Sequence, residues 1–138
     1  MTADAEPVDE VGWQQRWDDA GLFHADIHGD RPKFYCLEMY PYPSGKMHMG
    51  HVRNYSIGDA GARFKRLMGF DVLYPMGFDS FGMPAENAAI SEGGHPHDIT
   101  ERNMASITEQ IKRMGFSYDW RRTLKATTLG TTSGTSCL

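Results

Sequence analysis

The sequence predicts an α/β fold built on a strand–helix–strand unit, with a parallel sheet and flanking helices. Three observations point there. Two short aromatic and aliphatic runs, 33–39 and 70–74, have the length and composition of buried strands. Between them Val52, Tyr55, Ala60, Phe64 and Leu67 recur at helical steps, up to a stop near Met68 and Gly69. Proline and glycine break the chain after each run, at Pro41, Pro43 and Gly45 and again at Pro75 and Gly77. Two strands joined by one helix are parallel with a right-handed crossover. The loops 40–51 and 76–84 therefore share the carboxyl edge of the sheet, where ligands bind.

The flanking elements follow from the same signals. Residues 1–12 are expected to be a disordered N-terminus, polar over the first eight. Val11, Trp13, Trp17, Leu22 and Phe23 put an apolar stripe on a short helix beginning there. Residues 84–90 read as a short helix with proline in its first turn, broken at Gly93 and Gly94. Asp98 and Glu101 fit a capping box for a further helix whose core face is Met104, Ile107, Ile111 and Met114, ending at Gly115. Trp13, Trp17 and Trp120 read as core anchors. Residues 121–138, rich in Thr, Ser and Gly without periodicity, are expected to be a disordered tail.

Composition narrows the function. The chain of 138 residues is 40% hydrophobic and supports one domain's core. A net charge of −4 removes bulk electrostatics as a reason to bind nucleic acid. No apolar run approaches the ~20 residues of a membrane span, and the acidic N-terminus carries no secretory signal. Cys36 and Cys137 are the only cysteines. They provide neither a disulfide framework nor a zinc site, so no zinc is expected and the expected setting is the cytoplasm.

The densest polar cluster runs from Tyr40 to His51, between a strand and a helix N-terminus whose unpaired N–H groups favour an anion. His48 and His51 can present two donors to a phosphoryl group, Lys46 adds charge, and Gly50 lets a flat ring approach the backbone. A bare pair at this spacing more often caps a helix, and its position is what favours phosphate. In the second loop Asp79 lies between Gly77 and Gly82, where it can hold an ammonium group or cap the turn. Arg53 and Asn54 reach either a phosphate or only the surface, Glu86 and Asn87 suit a solvated face, and His95 and His97 read as turn residues.

With these residues in view, the chain resembles the N-terminal part of the class I aminoacyl-tRNA synthetases, and within them the bacterial-type leucyl-tRNA synthetases. His48-Met49-Gly50-His51 matches the His-x-Gly-His signature, and the flanks 39–59 and 75–89 are similar to the leucine branch rather than its isoleucine, valine or methionine relatives. The resemblance runs from about Trp13 to Trp120, closing on the matching segment 115–120. It implies that 13–120 is the first half of a Rossmann-like catalytic domain, incomplete, from a leucine–tRNA ligase that joins leucine to ATP and passes the leucyl group to tRNA(Leu), Mg²⁺ accompanying the ATP. By position, Ser44, Gly45, His48, Gly50 and His51 would bind ATP, with His48 and His51 catalytic and Gly50 under the adenine. Met39, Tyr40, Tyr42 and Asp79 would bind leucine, Asp79 at its α-ammonium.

The family's Lys-Met-Ser-Lys-Ser loop and editing, anticodon-binding and C-terminal regions are not in these residues. The tail after Trp120 departs from the family pattern and reads as a shifted frame or premature end. The expectation is a fragment inactive alone, with an apolar sheet edge through which it self-associates. The rivals are a noncatalytic module binding a synthetase partner or tRNA, and a different nucleotidyltransferase.

Overall fold

The protein is described by a computed structural model covering residues 9–43, 45–80 and 82–127. The elements are α1 (Glu10–Asp19), β1 (Lys33–Tyr35), α2 (Met49–Leu67), β2 (Asp71–Leu73), β3 (Gly77–Phe78), α3 (Met83–Glu92), α4 (Pro96–Arg113), a 3₁₀ turn (Trp120–Arg122) and β4 (Leu124–Lys125). β1 pairs with β2 in parallel, Phe34 opposite Val72, and β3 pairs with β4 in parallel, Gly77 opposite Leu124. The chain passes from the first pair to the second across Tyr74, Pro75 and Met76, so the β2–β3 run lies between β1 and β4. This is the α/β architecture expected, with the crossover helix α2 where its periodicity put it. Loop 76–84 differs in its first residues, which form β3 because Leu124 N–H and Ala126 N–H donate to Met76 O and Phe78 O.

The core joins the two pairs to α2 and α4. Tyr55, Phe116 and Tyr118 meet edge to face with centroids 6.0–6.4 Å apart, and Met104, Ile107 and Ile111 close over them. Each such side chain contributes roughly 1.5–3 kcal/mol on burial. Gly69 and Gly115, at φ 88° and 68°, end α2 and α4 in a conformation that L side chains avoid.

Four expectations are corrected. The buried face of α2 is Tyr55, Asp59 and Ala62, while Phe64 and Leu67 are 59% and 87% exposed. Asp59 takes an inner position because Ser117 donates to it from both N–H and hydroxyl at 2.6 Å, and Arg63 pairs with it at 2.7 Å. Met114 is 45% exposed at the end of α4. Of the three tryptophans only Trp120 anchors in the core, packed against Tyr118; Trp13 is 49% exposed and Trp17 lies half-buried against Phe23 outside it. Asp98 does not cap α4. His95 does, accepting from His97 N–H at 3.3 Å with Pro96 opening the helix, and Glu101 pairs with Lys125.

Both chain ends also differ. Residues 9–12 are ordered, Asp9 capping α1 through Gly12 N–H at 2.9 Å; residues 1–8 lie outside the described residues. Order does not stop at Trp120, because buried Asp119 gathers Arg121 and Arg122 and β4 pairs with β3. The expected tail over 128–138, Cys137 included, lies outside the described residues.

Candidate active site

β1 delivers the first loop to the carboxyl edge of the sheet, and neighbouring elements hold it there. Tyr55 Oη donates to Met39 O at 3.1 Å, and Asp79 N–H donates to Pro41 O at 3.1 Å, so the two predicted loops touch. His48 then caps α2. Its Nδ1 accepts from Gly50 N–H at 3.1 Å, while His51 Nδ1 accepts from His48 N–H at 3.2 Å. A ring nitrogen that accepts carries no proton, so each neutral imidazole holds its proton on Nε2. Burial, then the neighbouring His48, lowers the His51 pKa and favours that neutral form. The two rings lie with centroids 4.0 Å apart, and His51 stacks on Tyr55 at 5.8 Å. Capping and phosphate binding are therefore compatible, since Nδ1 serves the helix and Nε2–H remains for a ligand at the positive end of α2.

At Gly50 an added Cβ would come 2.8 Å from the His48 ring, so any larger residue there has to displace the ring that caps the helix. Gly45 is exposed with open space around it, and Ser44 lies outside the described residues. Lys46 and Arg53 are exposed near the loop. Asn54 turns away and donates to Glu38 at 3.0 Å. Glu86 and Asn87 are exposed on α3.

The second part of the site is a cavity of about 380 Å³ lined by Met39, Tyr40 and Asp79, together with Leu37, Glu38, Phe78, Leu124 and Ala126. Tyr40 lies flat on β3, where a Cβ at Gly77 would meet its ring at 2.5 Å. Tyr42, proposed with these residues, is 52% exposed and does not line the cavity. The Asp79 carboxylate is half-buried, and among the described residues no cation or backbone N–H engages it.

Sequence reasoning missed Glu38, Leu124 and Ala126. Glu38 accepts from Asn54 and, at 3.2 Å, from Tyr74, and an added Cβ at Gly58 would overlap its carboxylate. Burial raises its pKa. Its one signal was a charge inside an apolar run. Leu124 and Ala126 fell in the stretch read as tail. Among the described residues no group of three or more His, Cys, Asp or Glu could hold a metal ion, and no helix is long and apolar enough to cross a membrane.

Comparison with known proteins adds the family. The model of the class I (M) tRNA synthetases matches residues 35–132. The chain belongs to the class I tRNA synthetases. The match passes Trp120 into the stretch read as unrelated tail, in keeping with the order of residues 121–127. This class I synthetase chain is 60% identical over 119 residues to a leucine–tRNA ligase of Nitratidesulfovibrio vulgaris (strain DSM 19637 / Miyazaki F), covering 86% of the chain and 14% of that protein. A leucine–tRNA ligase of Symbiobacterium thermophilum is 58% identical over 113 residues, which cover 82% of the chain and 13% of that protein. Among solved structures, the LeuRS–tRNA–LeuAMS ternary complex of Agrobacterium radiobacter K84 superposes with a TM-score of 0.85 at 45% identity, covering 88% of this chain and 16% of that one. The methionyl-tRNA synthetase of Mycobacterium tuberculosis with methionyl-adenylate gives 0.67 at 29% identity, covering 72% and 19%.

Proposed function

We propose that this chain forms the adenylate-making edge of a leucine–tRNA ligase. The observation that carries the reading is the meeting, at one sheet edge, of two Nε2–H imidazoles at a helix N-terminus with an apolar cavity bearing Asp79. In the reaction, a leucine carboxylate oxygen attacks the α-phosphorus of ATP, which arrives with Mg²⁺, and pyrophosphate leaves. The leucyl group then passes to the terminal ribose of tRNA(Leu) with release of AMP. His48 and His51 donate from Nε2–H to the α-phosphate oxygens as charge shifts, stabilising the transition state with donors already in place. Gly45 in the first loop and Gly50 in the first turn of α2 lie on the ATP side, and Ser44 is assigned to ATP by its place in the sequence. Met39 and Tyr40 form the cavity wall, with Tyr42 at its outer approach, and Asp79 pairs with the α-ammonium. Free Cys36 is in keeping with a reducing, cytoplasmic setting. The test is ATP–pyrophosphate exchange by a full-length ligase carrying this segment in place of its own. Exchange that depends on leucine is expected, and exchange driven by methionine instead would overturn the reading. In the same protein Asp79→Ala is expected to raise the KM for leucine by about 10–100-fold, the value of a charge-assisted hydrogen bond, with ATP little affected. An unchanged leucine KM would return Asp79 to a structural role.

The outer edge of β1 bears on partners. Among the described residues β1 pairs only with β2, and Tyr35 at its end, with Leu37 and Met39 just beyond it at the cavity, are all more than half exposed. An unpaired edge beside an apolar face is a template for another chain. Sedimentation of the chain alone is expected to show a mass that rises with concentration, reduced in Tyr35→Lys. A monomer at every concentration would remove this surface from consideration.

A further inference from the structure

Resting on the reading of the first loop as the triphosphate site, we infer that Asn103 and Gln110 of α4 are positioning residues that set this loop for ATP. Between Pro43 and Met47 the loop's backbone hydrogen bonds among the described residues go to α4. Asn103 Nδ2 donates to Pro43 O at 3.0 Å, and Met47 N–H donates to Gln110 Oε1 at 3.2 Å. Positions 103 and 110 are two helical turns apart, on one face and about 10 Å along the axis. The two carboxamides therefore grip the loop at two separated points. Gln110 is itself aimed, since its Nε2 donates to Ser106 O at 3.1 Å and Ser106 Oγ at 3.2 Å, leaving Oε1 toward Met47.

The helix behind them is fixed. Met104, Ile107 and Ile111 are buried in the core, so the clamp stands on a rigid element while Gly45, inside the gripped stretch, faces open space. A loop already held at both ends has less freedom to lose when a triphosphate binds, which favours ATP without touching it. The leucine cavity is held differently, through Tyr55 to Met39 O and Asp79 N–H to Pro41 O. Loosening the clamp should thus be felt by one substrate and not the other.

In the full-length ligase carrying this segment, Gln110→Met and Asn103→Leu are each expected to raise the KM for ATP about tenfold while the KM for leucine stays within about twofold. An ATP KM that does not move, or ATP and leucine KM values that rise together, would overturn the assignment. If the parent ligase shows no leucine-dependent exchange, the reading of the site fails instead. Amide hydrogen exchange at Met47 in the 138-residue chain then decides the clamp by itself: Gln110→Met should speed it about tenfold, and an unchanged rate would show that Gln110 does not hold the loop.

Discussion

Replacing His51 with asparagine in a full-length ligase carrying this segment lowers the rate of leucyl-adenylate formation by about 10²–10³, the scale for losing one transition-state donor. Its melting temperature hardly moves. The two results separate because the ring divides its work between its nitrogens. An asparagine amide oxygen reaches roughly where Nδ1 stands, so it can still accept from His48 N–H and preserve the cap. It does not reach the position of Nε2, and the donor toward the α-phosphate is lost. His51→Ala removes both functions and should add about 1 kcal/mol of destabilisation to the same loss of rate. Pyrophosphate exchange and a thermal melt on the two variants check this. A rate within about threefold of the parent in His51→Asn would leave the imidazole with capping as its whole role.

The sheet edge and its two loops could be read from the chain because local rules specify them. Pro41, Pro43 and Gly45 cannot continue a strand or helix, and the spacing after Gly50 admits only a helix, so parallel strands and a shared edge follow. The details of the site obey partners distant in sequence, which no local pattern reveals. Asp59 occupies the inner face of α2 because Ser117, far along the chain, supplies two donors. A hydrophobic periodicity assigns that face to Phe64 and Leu67 instead. Glu38 looks out of place in an apolar run until Asn54, Tyr74 and the gap above Gly58 are seen around it. β4 is only Leu124–Lys125 in a threonine-rich stretch, too short to show alternation, and is recognisable as a strand only beside β3. Tyr42 is the reverse case. Its place beside Tyr40 suggested the same cavity, but buried Pro41 and Pro43 on either side leave its ring outward.

The second large effect concerns Asp119, just before the stretch expected to be a tail. Asp119 is fully buried, yet it receives Ala25 N–H at 3.1 Å, Arg121 Nε at 3.0 Å and Arg122 Nη1 at 2.6 Å. Burial by itself would raise its pKa. Arg121, the Ala25 N–H and Arg122 outweigh that and hold it at about 2 against an ordinary 3.8. A lowered carboxyl pKa stabilises the folded chain at every pH above the unfolded value, because only the unfolded state takes up the proton on acidification. The contribution, about 2 kcal/mol at neutral pH, begins to fall below about pH 4, is about half gone by pH 3 and vanishes below about pH 2. Asp119→Asn keeps the shape, removes the charge and turns an amide toward guanidinium donors. Urea unfolding of the chain at pH 7 is expected to show it less stable by about 2–4 kcal/mol. The deficit should shrink by about 1 kcal/mol at pH 3, since the parent is losing there what the variant never had. A deficit of the same size at both pH values would mean that shape and hydrogen bonding, not the ionised carboxylate, tie the 3₁₀ turn and β4 to the core.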